Sequence, residues 1–338
     1  MAPLDTREFY QRSHAVTGER YDPKLALRYT EIPTFMRAPL ADSLAGLDIA
    51  LVGVPFDGGI TVKPGARLGP REVRNASIVT RSIHPTTRVN PYDLCRVADV
   101  GDVRLSTIYN LDAAIPEIER FYDKIAAAGV VPLSVGGDHC ISFPILKALG
   151  REEPLGLVHI DAHTDTWGGS YGGSRFNNGT PFRLAAEAGA IDPKRTIQIG
   201  IRAAQNTDEG WRFSEESGMR VVGMDEVSDL GPARVAEEAR RIVGDRPAYL
   251  SFDIDALDPS YAPGTGAPEI GGLTTLEAQR ILRGLRGVDL VGADLVEVAP
   301  PLDPSGLTAI TAAQLLFEEL CLLAECVSER RARAARRR

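Results

Sequence analysis

Cysteine is scarce. The 338 residues hold four, Cys95, Cys140, Cys321 and Cys326, with no CxxC spacing among them. That excludes a dense disulfide framework and predicts reduced thiols in a cytoplasm. Positive charge is not in excess either: the formal net charge is -8 and the pI about 5.3, so nothing points to nucleic acid as a partner. No apolar run reads as long enough to cross a bilayer, so no membrane is expected as a partner. Met1 to Glu19 mix charges without the apolar core of a signal peptide. Internal repeats and low-complexity tracts are lacking as well. What remains, 43% hydrophobic and 25% charged residues, is ordinary for a soluble globular chain, and its length suits one large α/β unit.

The chain divides into three parts by composition. Residues 1–45, rich in Arg, Tyr and Pro, read as an arm that wraps the domain or contacts a neighbouring subunit. Residues 46–328 read as a single catalytic domain. Residues 329–338 form a basic tail that continues an apolar helix over 311–327, expected as a solvated helix end favoured by the helix dipole. Inside the domain, short apolar runs begin at Asp48 and Cys95, then at Val130, Leu155 and Thr196. Three more begin at Met219, Tyr249 and Asp289. Helical patterns lie between them, over 72–77, 111–129, 143–148, 181–188, 232–243 and 275–286. Continuous apolar strands alternating with helices predict an α/β fold with a mostly parallel sheet covered on both faces. In such a fold ligands gather beyond the carboxyl ends of the strands. The stretch from Phe56 to Gly59, and that from Pro64 to Arg71, mark a shaped glycine-rich loop; without a Gly-Lys-Ser/Thr ending, a phosphate cradle is set aside.

Chemistry-bearing residues sit at those strand ends. The run Leu157-Val158-His159-Ile160 ends in Asp161-Ala162-His163-Thr164-Asp165, and alternate residues of an extended segment share a side. Asp161, His163 and Asp165 can therefore converge on one point. Asp and His at a strand end also cap turns, so this triplet alone leaves both roles open. Three further ends add to it: Gly136-Gly137-Asp138-His139, Ser251-Phe252-Asp253-Ile254-Asp255 and Asp294-Leu295-Val296-Glu297. The candidate ligands are then His139, Asp161, His163, Asp165, Asp253 and Asp255. Four carboxylates and two imidazoles exceed what one ion needs, and leaving buried acids unpaired costs several kcal/mol each. Two ions accommodate all six and lower the pKa of a shared water. Oxygen-rich and free of thiolate, the set suits two Mn²⁺ ions better than Zn²⁺.

With these motifs assembled, the chain resembles the ureohydrolase (arginase/agmatinase) family, as an agmatinase-like or guanidinobutyrase-like member. The resemblance runs through Gly264-Thr265-Gly266 and Gly271-Gly272-Leu273-Thr274 and covers about residues 48–320. It implies a three-layer αβα, arginase-like fold, a binuclear manganese centre and a homo-oligomer, trimer or hexamer. It further implies hydrolysis of a guanidino group to an amine and urea by a metal-bridging hydroxide. By the same resemblance His139 and Asp165 hold one ion, His163 and Asp255 the other, and Asp161 and Asp253 bridge them. Asp165 also holds the hydroxide, and Glu297 pairs with the guanidinium of the substrate. A planar cation with a fork of N–H donors does call for a fixed carboxylate.

One position departs from the family. Where most members carry a proton-shuttling histidine, this chain has Asn178, which carries no proton near neutral pH. Of the five histidines, His14, His84, His139, His159 and His163, two are assigned to metal. His159 is expected to alternate away from the ligand face as a satisfied core residue, and His84 lies in a loop. Losing a general acid typically costs ~10²–10⁴-fold in rate. The alternatives are thus a hydrolase of another C–N bond, such as a formimino group or larger guanidino compound, or a weakly active metal-binding homologue. For the substrate, the glycine-rich loop from Trp167 to Arg175 offers Trp167 and Arg175 as contacts beside Asn178 and Glu297. Arg175 favours a guanidino acid such as 4-guanidinobutyrate, and Glu269 favours the amine of agmatine.

Overall fold

The computed structural model describes residues 27–30 and 32–336. Eight strands form one sheet, and every paired neighbour is parallel. They are β1 (Ile49–Val54), β2 (Val97–Asp102), β3 (Val131–Gly136) and β4 (Leu155–Ile160), then β5 (Ile191–Ile201), β6 (Arg220–Gly223), β7 (Ala248–Asp253) and β8 (Leu290–Val296). Their order is β2-β1-β3-β8-β7-β4-β5-β6. All eight apolar runs of the sequence are strands. Half of them, β1, β3, β4 and β7, are buried from end to end because helices cover both faces.

Alternation sorts the strand residues between two cores. Ile49 and Leu51 face one side with Val158, Ile160, Leu250 and Phe252; Ala50, Val52 and Val54 face the other with Leu155 and Leu157. The first face is covered by α1 (Gly69–Ser77), α8 (Pro232–Val243), α9 (Thr275–Gly284) and α10 (Leu307–Arg336). The second is covered by α3 (Leu111–Ala127), α4 (Ser142–Leu149) and α5 (Pro181–Glu187). The three layers are those of the αβα arrangement.

Three helices had no clear signature in the sequence: α2 (Pro91–Leu94), α6 (Glu209–Ser217) and α7 (Met224–Leu230). Each is short and buries few side chains. In α6 only Gly210 and Ser214 are buried, and in α7 only Val227, so neither carries an apolar stripe to read.

One expectation about the C-terminal helix is modified. Helix α10 is long and apolar enough to cross a membrane by length and composition, contrary to the reading that no run reaches that length. Yet 83% of its most apolar window is buried inside the protein, which makes it a core helix. The same helix carries the basic tail through to Arg336; Arg330 pairs with Asp289 at 2.7 Å and Arg331 pairs with Asp48. Residues 1–26 of the arm, His14 included, and Glu31 lie outside the described residues. The segment that follows packs along the sheet edge: Phe35 N donates to Asp99 Oδ2 at 3.0 Å, and the Arg74 guanidinium covers the Phe35 ring.

Candidate metal centre

Sheet order brings β3, β8, β7 and β4 side by side, so four strand ends meet at one edge. Gly136 and Gly137 make the first end possible. A Cβ on Gly137 would lie 2.4 Å from Phe56 O, so only glycine fits against the loop that follows β1. Asp138 then accepts from Gly59 N at 2.6 Å and Cys140 N at 3.1 Å, which fixes the turn carrying His139. Nearby, Asp57 accepts from Gly65 N at 2.9 Å and pairs with Arg67, closing the shaped loop on itself.

Turn-capping and convergence, the two roles open for these acids, are both present. Asp161 Oδ1 accepts from His163 N at 2.7 Å, and Asp253 Oδ1 accepts from Asp255 N at 2.8 Å. Each acid thus spends one oxygen on its own loop. The other points inward: Asp161 Oδ2 and Asp253 Oδ2 lie 3.1 and 3.2 Å from His139 Nδ1, and Asp165 Oδ2 lies 2.9 Å from it. On the other side, His163 Nδ1 is 3.0 Å from Asp255 Oδ2 and 3.5 Å from Asp161 Oδ1. Two overlapping groups have ligand atoms within 4.8 Å of one another, His139, His159, Asp161 and Asp165 in one and Asp161, His163 and Asp255 in the other. Asp161 belongs to both.

The donor set fits divalent metal. His139 Nδ1 is buried among three carboxylate oxygens yet has no aligned hydrogen bond among the described residues. Its Nε2 is engaged behind, 2.9 Å from Ser251 Oγ, and Ser251 donates on to Asp294 at 2.6 Å. An imidazole held by its outer nitrogen, with the inner one turned on a carboxylate cluster, is the geometry of a ligand histidine. Electrostatics agree. Burial, then the neighbouring Asp255 and Asp161, push the Asp253 carboxyl well above the usual carboxylate range. Burial opposes the cation of His139, but Asp161, Asp165 and Asp253 outweigh it and raise its pKa well above that of a free imidazole. Charge of one sign crowded this tightly calls for a cation.

Glu297 stands at the end of β8 in a left-handed backbone conformation, φ 63°, and Asp165 has φ 51°. Such backbone is strained in a residue other than glycine and collects at functional sites. Glu297 Oε1 accepts from His139 N at 2.8 Å and from Asn178 Nδ2 at 3.4 Å, while Oε2 is buried with no partner among the described residues. Burial, with Asp138 next, raises its pKa well above the ordinary value. Asn178 also accepts from Thr61 Oγ1 at 3.0 Å, so its amide is pinned on both sides.

The other expected contacts lie further out. Trp167 is half-buried in a slot between Gly179 and Gly210, where added Cβ atoms would come within 2.8 and 3.1 Å of its ring. Arg175 is exposed and stacks on Phe176, 4.8 Å from the ring centre. His84 is not at the site: it is buried and pairs with Glu318 on α10 at 2.9 Å.

His159 corrects the sequence reading. It does not turn away from the ligands; residues 159 and 161 are two apart on one strand, share a side, and touch at 2.7 Å. Two other residues support the site without a signal in the sequence. Phe182 sets its ring against both His139 and His159, at 5.0 and 4.2 Å. Arg202 donates to the carbonyls of Asp255 at 2.7 Å and Glu269 at 2.7 Å, tying the loop after β7 to the loop that holds Gly266. The alternation of 159 with 161 carried the signal for His159; nothing local marks Phe182 or Arg202.

Known proteins resemble this chain along most of its length. Residues 47–321 match the profile of the Arginase family. A guanidinopropionase of Pseudomonas aeruginosa is 54% identical over 298 residues, 88% of this chain and 93% of its own length. A mitochondrial agmatinase of Gallus gallus is 47% identical over 291 residues, 86% of this chain and 85% of its own. Among solved structures, a proclavaminate amidino hydrolase from Streptomyces clavuligerus superposes with TM-score 0.86 at 37% identity, covering 89% of this chain and all of that one (100%).

Proposed function

The chain belongs to the arginase family, and on that premise we propose that it is an amidinohydrolase converting a small guanidino compound to an amine and urea. The observation that carries this is the inward convergence of three carboxylate oxygens on the unpartnered His139 Nδ1, beside the unpartnered Glu297 Oε2.

His139 and Asp165 would hold one ion, His163 and Asp255 the second, and Asp161 and Asp253 both. The oxygen and nitrogen donors, without sulfur, support Mn²⁺. When bound, the pair supplies a water activated at neutral pH and offsets charge that develops at the reacting carbon. Glu297 meets the guanidinium, its free oxygen taking an N–H of the planar cation and orienting the carbon toward the cluster. Asn178 holds the other oxygen of Glu297 in place. In the reaction a C–O bond forms to the water oxygen and the bond from the guanidinium carbon to the substituted nitrogen breaks. The leaving amine takes its proton from water or from the substrate's own amine, because Asn178 donates and accepts hydrogen bonds but does not titrate.

The relatives act on a guanidino acid and on agmatine by their names; Arg175 would suit the carboxylate of the first class and Glu269 the amine of the second. The test is urea release by Mn²⁺-loaded protein from 3-guanidinopropionate, 4-guanidinobutyrate, agmatine and arginine. Urea from one of them establishes the reaction and its class; no urea from any overturns it. Family resemblance supports a homo-oligomer, trimer or hexamer, which light scattering checks. A cytoplasmic location is supported by four free, buried cysteines.

A further inference from the structure

His159 is fully buried, and both of its ring nitrogens are engaged. Nε2 lies 2.7 Å from Asp161 Oδ2, and Nδ1 lies 3.1 Å from Gln198 Nε2. The same Gln198 nitrogen is 2.5 Å from the carbonyl oxygen of Thr164. A backbone carbonyl can only accept, so the group facing it is the NH₂ of the amide. That NH₂ also faces His159 Nδ1, which therefore presents a lone pair. The proton of the neutral ring then sits on Nε2, aimed at Asp161. Turning the Gln198 amide over would set its oxygen against the Thr164 carbonyl. In the observed orientation Gln198 Oε1 is buried without a partner among the described residues, a cost accepted so that both donor contacts are made.

From this chain we infer that His159 is a positioning residue for Asp161, held in the Nε2–H tautomer by Gln198. The inference rests on the reading of Asp161 as a ligand to both ions. Asp161 Oδ1 is already turned by His163 N at 2.7 Å; His159 turns Oδ2, so the carboxylate is fixed at both ends. The Phe182 ring, 4.2 Å from that of His159, keeps the imidazole in its plane. With Nδ1 receiving and Nε2 donating, His159 has no lone pair left for an ion, although it lies within the cluster. An outer residue that orients a ligand is typically worth 10–100-fold in metal affinity.

The experiment titrates Mn²⁺ calorimetrically into metal-stripped parent, His159→Phe, His159→Gln and Gln198→Met, and reads the His159 tautomer of the stripped parent by ¹⁵N NMR. The expected tautomer is Nε2–H. His159→Phe should bind Mn²⁺ roughly 10–100-fold more weakly. His159→Gln, whose amide keeps a donor toward Asp161, should recover most of that, with two ions still bound. Gln198→Met should weaken binding by less than His159→Phe, and it serves if the ring replacement does not fold. A purely structural role would lower the melting temperature of the stripped variants and leave affinity alone. The inference is overturned by an Nδ1–H tautomer, by parent-like affinity in His159→Phe and Gln198→Met, or by loss of one whole ion in His159→Phe. A parent that takes up no Mn²⁺ overturns instead the reading of the site itself.

Discussion

Asp161 and Asp253 each divide their two oxygens between two tasks, and a substitution can separate them. In Asp253→Asn the amide oxygen still accepts from Asp255 N, so the turn keeps its cap. The charge toward His139 is lost. Asp253→Asn should therefore fold and melt no lower than the metal-stripped parent, while losing metal and at least ~10²-fold in urea release. Metal content by emission spectroscopy checks it; a variant holding two ions would count against Asp253 as a shared ligand. Asn178 invites the opposite test. A histidine there would sit beside Glu297 with a proton to give, and Asn178→His should raise kcat, by up to ~10²-fold, with a new pH dependence near the imidazole pKa of ~6.5. An unchanged pH profile would show that proton delivery does not limit turnover.

The long helix α10 also bears on the centre, through charge. Glu319 is fully buried, and neither of its oxygens has a partner among the described residues. Burial, then the nearby Asp294, hold its pKa well above the ordinary glutamate value. Asp294 in turn takes hydrogen bonds from Ser142 at 2.7 Å, Tyr249 at 2.9 Å and Ser251 at 2.6 Å, the last of which backs His139. A folded state that retains this proton loses stability as pH rises above the unfolded glutamate pKa of ~4.3, because the unfolded chain gives the proton up first. Glu319→Gln removes that dependence. It should raise the melting temperature, and more at pH 7.5 than at pH 5, as calorimetry would show. An equal gain at both would mean that Glu319 carries no trapped proton.

For the molecule as a whole, protons and metal compete for one cluster. His139 and His163 have pKa values raised well above the free imidazole; burial opposes this, and the facing carboxylates prevail. Their contribution to stability is complete below pH ~6.5 and is lost as pH rises through the folded values. The metal-stripped protein should therefore melt at progressively lower temperature from pH 6.5 to 8.5. Metal needs these nitrogens deprotonated, so its affinity rises over the same interval. The gap in melting temperature between Mn²⁺-loaded and stripped protein should widen with pH. At a free concentration of ~100 Kd the metal adds about 2.7 kcal/mol. A gap that stays constant across that range would show that the ions do not displace these protons.

The amino-acid sequence by itself determined the eight strands, the α/β class with its sheet covered on both faces, and which acids and histidines stand at strand ends. It could do so because continuous apolar runs report burial on both faces, and residues two apart on a strand share a side. Applied correctly, that rule puts His159 on the side of Asp161; the expectation that it alternates away misapplied the rule, and the 2.7 Å contact overturns it. Only the tertiary structure decided which strand ends are neighbours. The order β3-β8-β7-β4 depends on crossovers between distant segments, and local periodicity carries no record of them. For the same reason Phe182, Arg202 and Glu319 were not legible. Each is an ordinary residue on an ordinary element, and its role follows from what packing sets against it: two imidazole rings, a set of loop carbonyls, a second buried acid.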